Sequence, residues 1–378
     1  MAQVNTLYVL IFSSGILLLY TYVLFPVLCI FINRAYPRDQ VSRLDLDVKP
    51  GITATLIVSM RNEQEVAASK IKNISDLRYP NLEIIFVLDN CTDETKSIVN
   101  KHIKNLDKKV SVLEYNGDGG KNGGINRAVK NIGSDIIVFS DANSMYEDDA
   151  LINLLSGFSD LRVGSISGRE VRISTGSQNS NNEVAIWNLD HEIKMLEGRL
   201  KKSFSANGSM FALRRNIFEE IPSNVPNDLF LPLIAISKGS KALYCPDAIC
   251  REYASDMTKN EYKRKKRIVN RAFSALVSLL FKLDLITILL FFSHKVLRWI
   301  GLVYGAIFIV SATLILFSAF FMETILVIFL LALLFFASAW QPNLRKIRSF
   351  LVHVIIMHLA ALDGVVSRLC GQKISRWT

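Results

Sequence analysis

An α/β fold with a mostly parallel sheet, flanked by membrane-spanning helices, is predicted by three features of this sequence. Short apolar runs rich in β-branched residues alternate with helix-like stretches between Ala54 and Ser140. Three longer runs, Leu7 to Ile32, Ile300 to Phe321 and Thr324 to Trp340, carry no charged residue. A helix crosses a bilayer with roughly 17–25 such residues. The excess of positive charge, +10 overall, gathers beside the apolar runs. It lies at Arg34, Arg38 and Arg43, at Lys263 to Arg267, at His294, Lys295 and Arg298, and at Arg345, Lys346 and Arg348. That placement fits a positive-inside topology and anionic lipid heads, and it argues against a nucleic-acid partner.

The N-terminal run, residues 1–33, is too long for a signal-peptide core and lacks a basic start, so it reads as a retained anchor. Met1 to Thr6 holds no Lys or Arg, which puts the N-terminus outside and Asn33 to Arg298 in the cytoplasm. A charged connector, 34–50, leads to an α/β domain, 51–258. Five scattered cysteines fit reduced thiols in a cytosolic domain.

Ala54 to Ser59 is the first expected strand, followed by a helix to about Asp76 and a turn at Tyr79-Pro80-Asn81. Glu83 to Leu88 is the second, with Thr92 or Asp93 capping a helix to about Leu106. Val110 to Leu113 is the third, and it runs into the glycine-rich loop Gly117 to Gly124, with a helix beyond. The fourth, Asp135-Ile-Ile-Val-Phe-Ser, stops at Asp141-Ala-Asn143. A helical pattern covers Glu183 to Arg215, and an acid opens an apolar helix at Asp228. Lys238 to Pro246 reads as an edge strand. Basic and interfacial helices are expected over 259–298, where Lys282 and Asp284 interrupt the apolar residues. A transmembrane hairpin follows over 299–341. The last segment, 342–378, reads as interfacial or re-entrant, with Asp363 closing the apolar stretch Phe350 to Leu362.

In an open α/β sheet, ligands bind beyond the carboxyl ends of the strands. Arg61, Asn62, Asp89 and Asp141 all fall at such ends. Asp141 and Asn143 present two oxygen-bearing side chains suited to a hard cation, although an Asp/Asn turn capping the next helix would read the same. The Gly117 to Gly124 stretch is not a P-loop, since no Ser or Thr follows Lys121. It is either a plain turn or a place where backbone and Lys121 approach phosphate. Arg264, Arg267 and Arg271 share one helix face, and guanidinium groups suit a diphosphate. Asp228 in isolation reads as an N-cap.

In combination these motifs resemble the membrane-integrated family 2 glycosyltransferases, the group of cellulose, hyaluronan and poly-N-acetylglucosamine synthases, from Thr53 onward. The resemblance is carried by Asn62-Glu63 at the first strand end, Tyr79-Pro-Asn-Leu-Glu83, Asp89-x-x-Thr92-Asp93, Gly120-Lys121 with Asn126, and Phe139-x-Asp141-Ala-Asn143. Asn227-Asp228 stands where the family has its acidic pair. Asn143 replaces the second acid of D-x-D, and Arg264-Lys-Lys-Arg267-Ile268 replaces Q-x-x-R-W, losing the Trp that holds a growing polymer.

The resemblance implies a GT-A (Rossmann-like) catalytic domain on the cytoplasmic face of the plasma (inner) membrane. That domain would invert the sugar it moves from a nucleotide-sugar, UDP-linked, to a glycan or lipid-linked acceptor. Asp228 would be the catalytic base. Asn62, Glu63, Asp89, Lys121, Asn126, Asp141, Arg264 and Arg267 would bind the donor, Asn207 and Gly208 the acceptor. Asp141 and Asn143 would hold Mg²⁺ or Mn²⁺. Membrane lipids are partners, and a homo-oligomer or an export partner is admitted. The alternative is a catalytically silent nucleotide-sugar-binding subunit of an export complex.

Overall fold

The computed structural model of the protein describes residues 2–36, 51–174, 176, 178–253, 261–337 and 342–374. Most of the expected connector, from 37 to 50, lies outside the described residues. The chain divides into two compact units. One, the sheet unit, comprises residues 29–258, 271–288 and 373–378, and the other, the helical unit, residues 1–28, 259–270 and 289–372.

The sheet unit is built on β1 (Ala54–Met60), β2 (Leu82–Asp89), β3 (Lys109–Tyr115) and β4 (Ile136–Asp141), which run parallel in the order β3-β2-β1-β4. Helices Gln64–Ser75, Thr95–His102 and Gly120–Val129 follow the first three strands. Parallel neighbours need such crossovers. β1 and β4 are buried on both faces, which is why they read as unbroken apolar runs. Four further strands, β5 (Met145–Tyr146), β6 (Val163–Ile173), β7 (Phe211–Arg214) and β8 (Lys241–Tyr253), extend the sheet past β4 in the order β7-β6-β8-β5. β7 is antiparallel to β4 and β6, β8 is parallel to β6, and β5 is antiparallel to β8. Phe139 and Phe211 stack at the join, ring centres 4.5 Å apart. Burying each contributes about 1.5–3 kcal/mol.

Register sets up the site. Met60 lies opposite Leu88 and Ser59 opposite Asp141, so β1, β2 and β4 end level.

Several elements differ from the expectation. The helix expected over Glu183 to Arg215 is Gln178–Arg199, and Phe211–Arg214 is strand β7. Four residues are too few for periodicity to separate strand from helix, and stacking on Phe139 decides. β6 was not expected, because small residues interrupt its apolar ones. Two of these, Gly164 and Gly168, leave no room for a Cβ, which would sit 2.6 Å from Ile217 Cδ1 and 2.6 Å from Met210 Sδ respectively. The edge strand expected over Lys238 to Pro246 begins only at Lys241 and runs on as β8 to Tyr253; its first half pairs with β6 and meets a lone bridge from Lys202 on the other side, and β5 joins only at Cys250 and Arg251. The fourth difference is at Gly120–Val129, where the helix begins inside the glycine-rich stretch.

Within residues 271–288, Val277, Phe281, Leu285 and Ile286 are exposed, Phe281 to 98%. This stretch therefore turns apolar side chains outward. Asp284, which breaks its hydrophobicity, accepts the Thr287 amide at 3.1 Å and pairs with Lys202 at 2.7 Å.

In the helical unit, Asn5–Ala35, Gly301–Ala319 and Leu351–Leu369 are long and apolar enough to cross a membrane; the last residues of the first belong to the sheet unit. Phe321–Ala337, at 17 residues, is near the lower limit. The N-terminal helix passes through a π-helical turn at Tyr20–Leu24, where the Phe25 amide reaches Tyr20 O. Pro26 explains it: proline has no amide hydrogen to continue the ladder. Gly301 faces the same turn, and a Cβ there would lie 2.1 Å from the Tyr22 hydroxyl. That hydroxyl is hydrogen-bonded to His358 Nε2 at 2.6 Å.

The C-terminal segment expected over 342–378 holds a single helix, Pro342–Leu369, which continues past the apolar stretch ending at Leu362. Asp363 does not end it, because its carboxylate pairs with Lys266 and accepts the Tyr262 hydroxyl, both at 2.9 Å.

Candidate functional site

Asp141 closes β4 at the level carboxyl edge, and the ammonium of Lys121 pairs with its Oδ1. Lys121 reaches it from the first turn of Gly120–Val129. Gly120 takes φ +57°, a left-handed conformation that lets the chain enter this helix directly beside Asp89. Burial pulls the Lys121 ammonium down, but the carboxylates of Asp141 and Asp228 together hold its pKa above the usual value.

The glycines around Lys121 have a packing role. A Cβ on Gly117, Gly119 or Gly123 would come within 2.5, 2.8 and 2.2 Å of the Tyr115 hydroxyl. The amide of Gly119 donates to that hydroxyl at 3.1 Å. Tyr115 thus lies in a bed that only glycine can form.

The two loops beside Asp141 are tied to each other. Asn62, at φ +55°, accepts the Thr92 amide at 2.8 Å and donates to the Thr92 hydroxyl at 3.1 Å. Asp93 accepts the amides of Gln64 and Thr95, at 3.1 and 3.0 Å. Asp89 is 3% exposed and accepts the Asn90 amide at 2.8 Å. Glu63 is half-buried. Burial, together with the charges of Asp141, Asp93 and Glu252, pushes its carboxyl up.

Asp228 enters from the far half of the sheet, in the first turn of Asn227–Ser237. The meeting point is Gly208: a Cβ there would stand 3.2 Å from Asp228 Oδ2 and 3.5 Å from Asp141 Oδ2. Burial pushes the Asp228 carboxyl up; Lys121 pulls it down, Asp141 pushes it up, and Lys194 and Arg271 pull it down. Beside it, Asn227 is buried with its Nδ2 unpaired. A single methyl at Gly208 would fall between the two acids. Gly208→Ala is therefore expected to slow turnover about 10–100-fold with an unchanged unfolding midpoint, checked by steady-state rates beside thermal unfolding.

Two asparagines expected to touch ligands have their amides engaged by the protein. Asn126 donates to Ile221 O at 3.0 Å and accepts the Ile221 amide at 2.9 Å. Asn207 takes the Lys194 ammonium on Oδ1 and donates through Nδ2 to Gly168 O at 2.5 Å. Asn143 is exposed, and its amide donates to Glu252 at 3.4 Å. Arg264 and Arg267 belong to the helical unit, whereas Arg271, the third member of their row, belongs to the sheet unit. Arg271 donates to Val225 O at 2.6 Å and places its charge near Asp228.

Arg271 was expected against a diphosphate as a member of the helix-face row, whereas Lys194 and the charged side chains Lys70, Glu170, Arg172 and Glu252 carried no sequence signal and were not expected at the site. Among the described residues, no three His, Cys, Asp or Glu side chains are arranged to hold a metal ion. Asp141 and Asn143 would supply two oxygens, which suits a cation completed by phosphate and water.

Residues 50–271 match the family model described as Glycosyltransferase like family 2. Over 141 residues the chain is 30% identical to a beta-monoglucosyldiacylglycerol synthase of Nostoc sp., covering 36% of this chain and 30% of that protein. It is 28% identical over 115 residues to a poly-beta-1,6-N-acetyl-D-glucosamine synthase of Staphylococcus epidermidis, 30% of this chain and 27% of that one. The chain therefore spans less than a third of either relative's length. A mannosyltransferase, PcManGT from Pyrobaculum calidifontis in complex with GDP-Man and Mn²⁺, superposes with a TM-score of 0.71. The superposition covers 97% of this chain and 99% of that one at 17% identity, which shows a shared fold.

Proposed function

The chain belongs to glycosyltransferase-like family 2 and has the GT-A fold, and from that premise we propose that it is an inverting glycosyltransferase. The donor is a nucleoside-diphosphate sugar, and the acceptor is a glycan or a lipid-linked sugar. The observation that carries this reading is the convergence of Asp141, Lys121 and Asp228 around Gly208. In the reaction, the acceptor hydroxyl gives its proton to Asp228 as its oxygen bonds to the anomeric carbon. The bond from that carbon to the diphosphate breaks on the opposite face, so the configuration inverts. Lys121 and Arg271 meet the charge of the departing nucleoside diphosphate. Asp89, at the end of β2, contacts the nucleoside.

Asp141 and Asn143 are the residues that would hold Mg²⁺ or Mn²⁺. Bound there, the ion neutralises the diphosphate and makes it a better leaving group. The resemblance favours UDP, while the mannosyltransferase of like fold carries GDP-Man, so both nucleotides belong in the test. Purified full-length protein in detergent, given UDP- and GDP-sugars with Mn²⁺, is expected to release a nucleoside diphosphate. Mass spectrometry then identifies the glycan or glycolipid formed. No release from any donor would overturn the reading.

Nucleotide-sugars are made in the cytoplasm, and we place the sheet unit there, at the inner membrane. Arg368, Lys373 and Arg376 favour a cytoplasmic C-terminus as well. Cys370 is an exposed free thiol close to that end. An impermeant maleimide is expected to label it only after the membrane is opened. Labelling from outside intact cells would put the end of Leu351–Leu369 across the membrane.

A further inference from the structure

We propose that Glu252 is a positioning residue for sugar transfer, a buried carboxylate that ties the loop after β4 to the loop carrying Gly208. The inference rests on the transferase reading and adds residues that reading does not use. Glu252 lies near the end of β8 and is 5% exposed. Its Oε1 accepts the hydroxyl of Ser144 and, at 3.0 Å, that of Ser209. Through Oε2 it accepts the Asn143 amide at 3.4 Å and pairs with Arg172 at 3.0 Å. Asn143 and Ser144 follow Asp141 closely in the chain, and Ser209 adjoins Gly208. One side chain therefore holds both sides of the gap in which Asp141 and Asp228 face Gly208.

The surroundings strengthen the tie. Lys70, fully buried on Gln64–Ser75, donates to Ser144 O and stands 4.2 Å over the Tyr146 ring. Asn73 on the same helix donates to Tyr146 O at 2.7 Å and accepts the Tyr146 amide at 2.8 Å. The single Ser209 proton is shared between Glu252 and Glu170, whose Oε2 lies 2.6 Å from the hydroxyl, and Glu170 pairs with Arg172. Removing charges from water is costly, and a core that needed only volume would be filled more cheaply by apolar side chains. Here the charges stand where the hydroxyls of two ligand-facing loops meet on one oxygen. Small errors in the spacing of reacting groups slow a reaction far more than they weaken ground-state binding. The tie should therefore act on turnover.

The test uses full-length protein with a donor found active above, comparing Ser144→Ala, Ser209→Ala, the double variant, Glu252→Gln and Glu252→Ala. Each serine variant is expected to lower kcat about tenfold with an unchanged donor KM. The double variant should lose no more than the worse single one, since both hydroxyls act through one carboxylate oxygen. Glu252→Gln should recover part of what Glu252→Ala loses, because an amide oxygen still accepts both hydroxyls. Nucleotide binding at wild-type strength certifies folding, and where Glu252→Ala fails to fold the serine variants carry the test. Wild-type kcat in Ser209→Ala, or losses that multiply in the double variant, would overturn the proposal. An inactive wild type would instead remove the transferase reading on which it rests.

Discussion

Asp228→Asn is expected to lower kcat about 10²–10⁴-fold while nucleotide affinity stays near wild type. A general base acts only as the acceptor hydroxyl loses its proton, whereas donor affinity is set by groups that touch the nucleotide before reaction. Asn preserves the shape of Asp228 beside Gly208 but cannot take the proton. Calorimetry with the nucleoside diphosphate, run beside turnover, separates the two effects. Undiminished turnover would remove Asp228 as the base, and loss of nucleotide binding would make it a donor contact instead.

The same carboxylate predicts the sign of the pH response. Burial pushes its pKa up, and Asp141 adds to that, against the pull of Lys121, Lys194 and Arg271. A base must be ionised to accept a proton. Activity is therefore present above the raised pKa and lost as pH falls through it, so the acid limb of the rate profile lies above the usual aspartate value of about 3.9.

Much of this candidate site was legible in the sequence, because a buried parallel strand that stops at a polar residue also marks a ligand-facing edge. The run Ile136 to Phe139 is apolar and only Ser140 separates it from Asp141, and Ile84 to Leu88 is apolar until Asp89. Each acid is found simply by asking where the strand must stop. What was not legible is pairing. Lys70 and Ser144, or Glu252 and Ser209, lie far apart in the chain, and one sequence carries no record of which buried charge meets which hydroxyl. Local composition was ambiguous in the same way. Glycines at 117, 119 and 123 permit either close approach to phosphate or a ring laid among them, and the Tyr115 ring lies there. The row Arg264, Arg267, Arg271 does lie on one helix, Glu261–Leu279, but that Arg271 stands near Asp228 depends on packing, which periodicity does not report. Asn126 and Asn207 are ambiguous for a related reason: amides that suit a ligand also suit a neighbouring backbone, and here both engage backbone groups.

Removal of divalent metal is expected to reduce transfer about 100-fold or more, and Asp141→Asn to do nearly the same at saturating metal. The proposed site would suit a hard cation bound partly by protein and partly by donor phosphate, since only two side chains, Asp141 and Asn143, are offered to it. Lys121 pairs with Asp141, so on the proposed reading a cation or diphosphate bound at Asp141 would have to share or displace that ammonium. Asn143→Asp supplies the complementary arm. A second carboxylate at a hard-cation site should hold or raise affinity, so the Mn²⁺ concentration for half-maximal activity should not increase. Calorimetric titration of Mn²⁺ into the nucleotide-bound protein reads the same ordering without turnover: Asn143→Asp at least as tight as wild type, Asp141→Asn weakest. Full activity in excess chelator would mean that Lys121 and Arg271 neutralise the diphosphate unaided, and would leave Asp141 as the anchor that holds Lys121 in place.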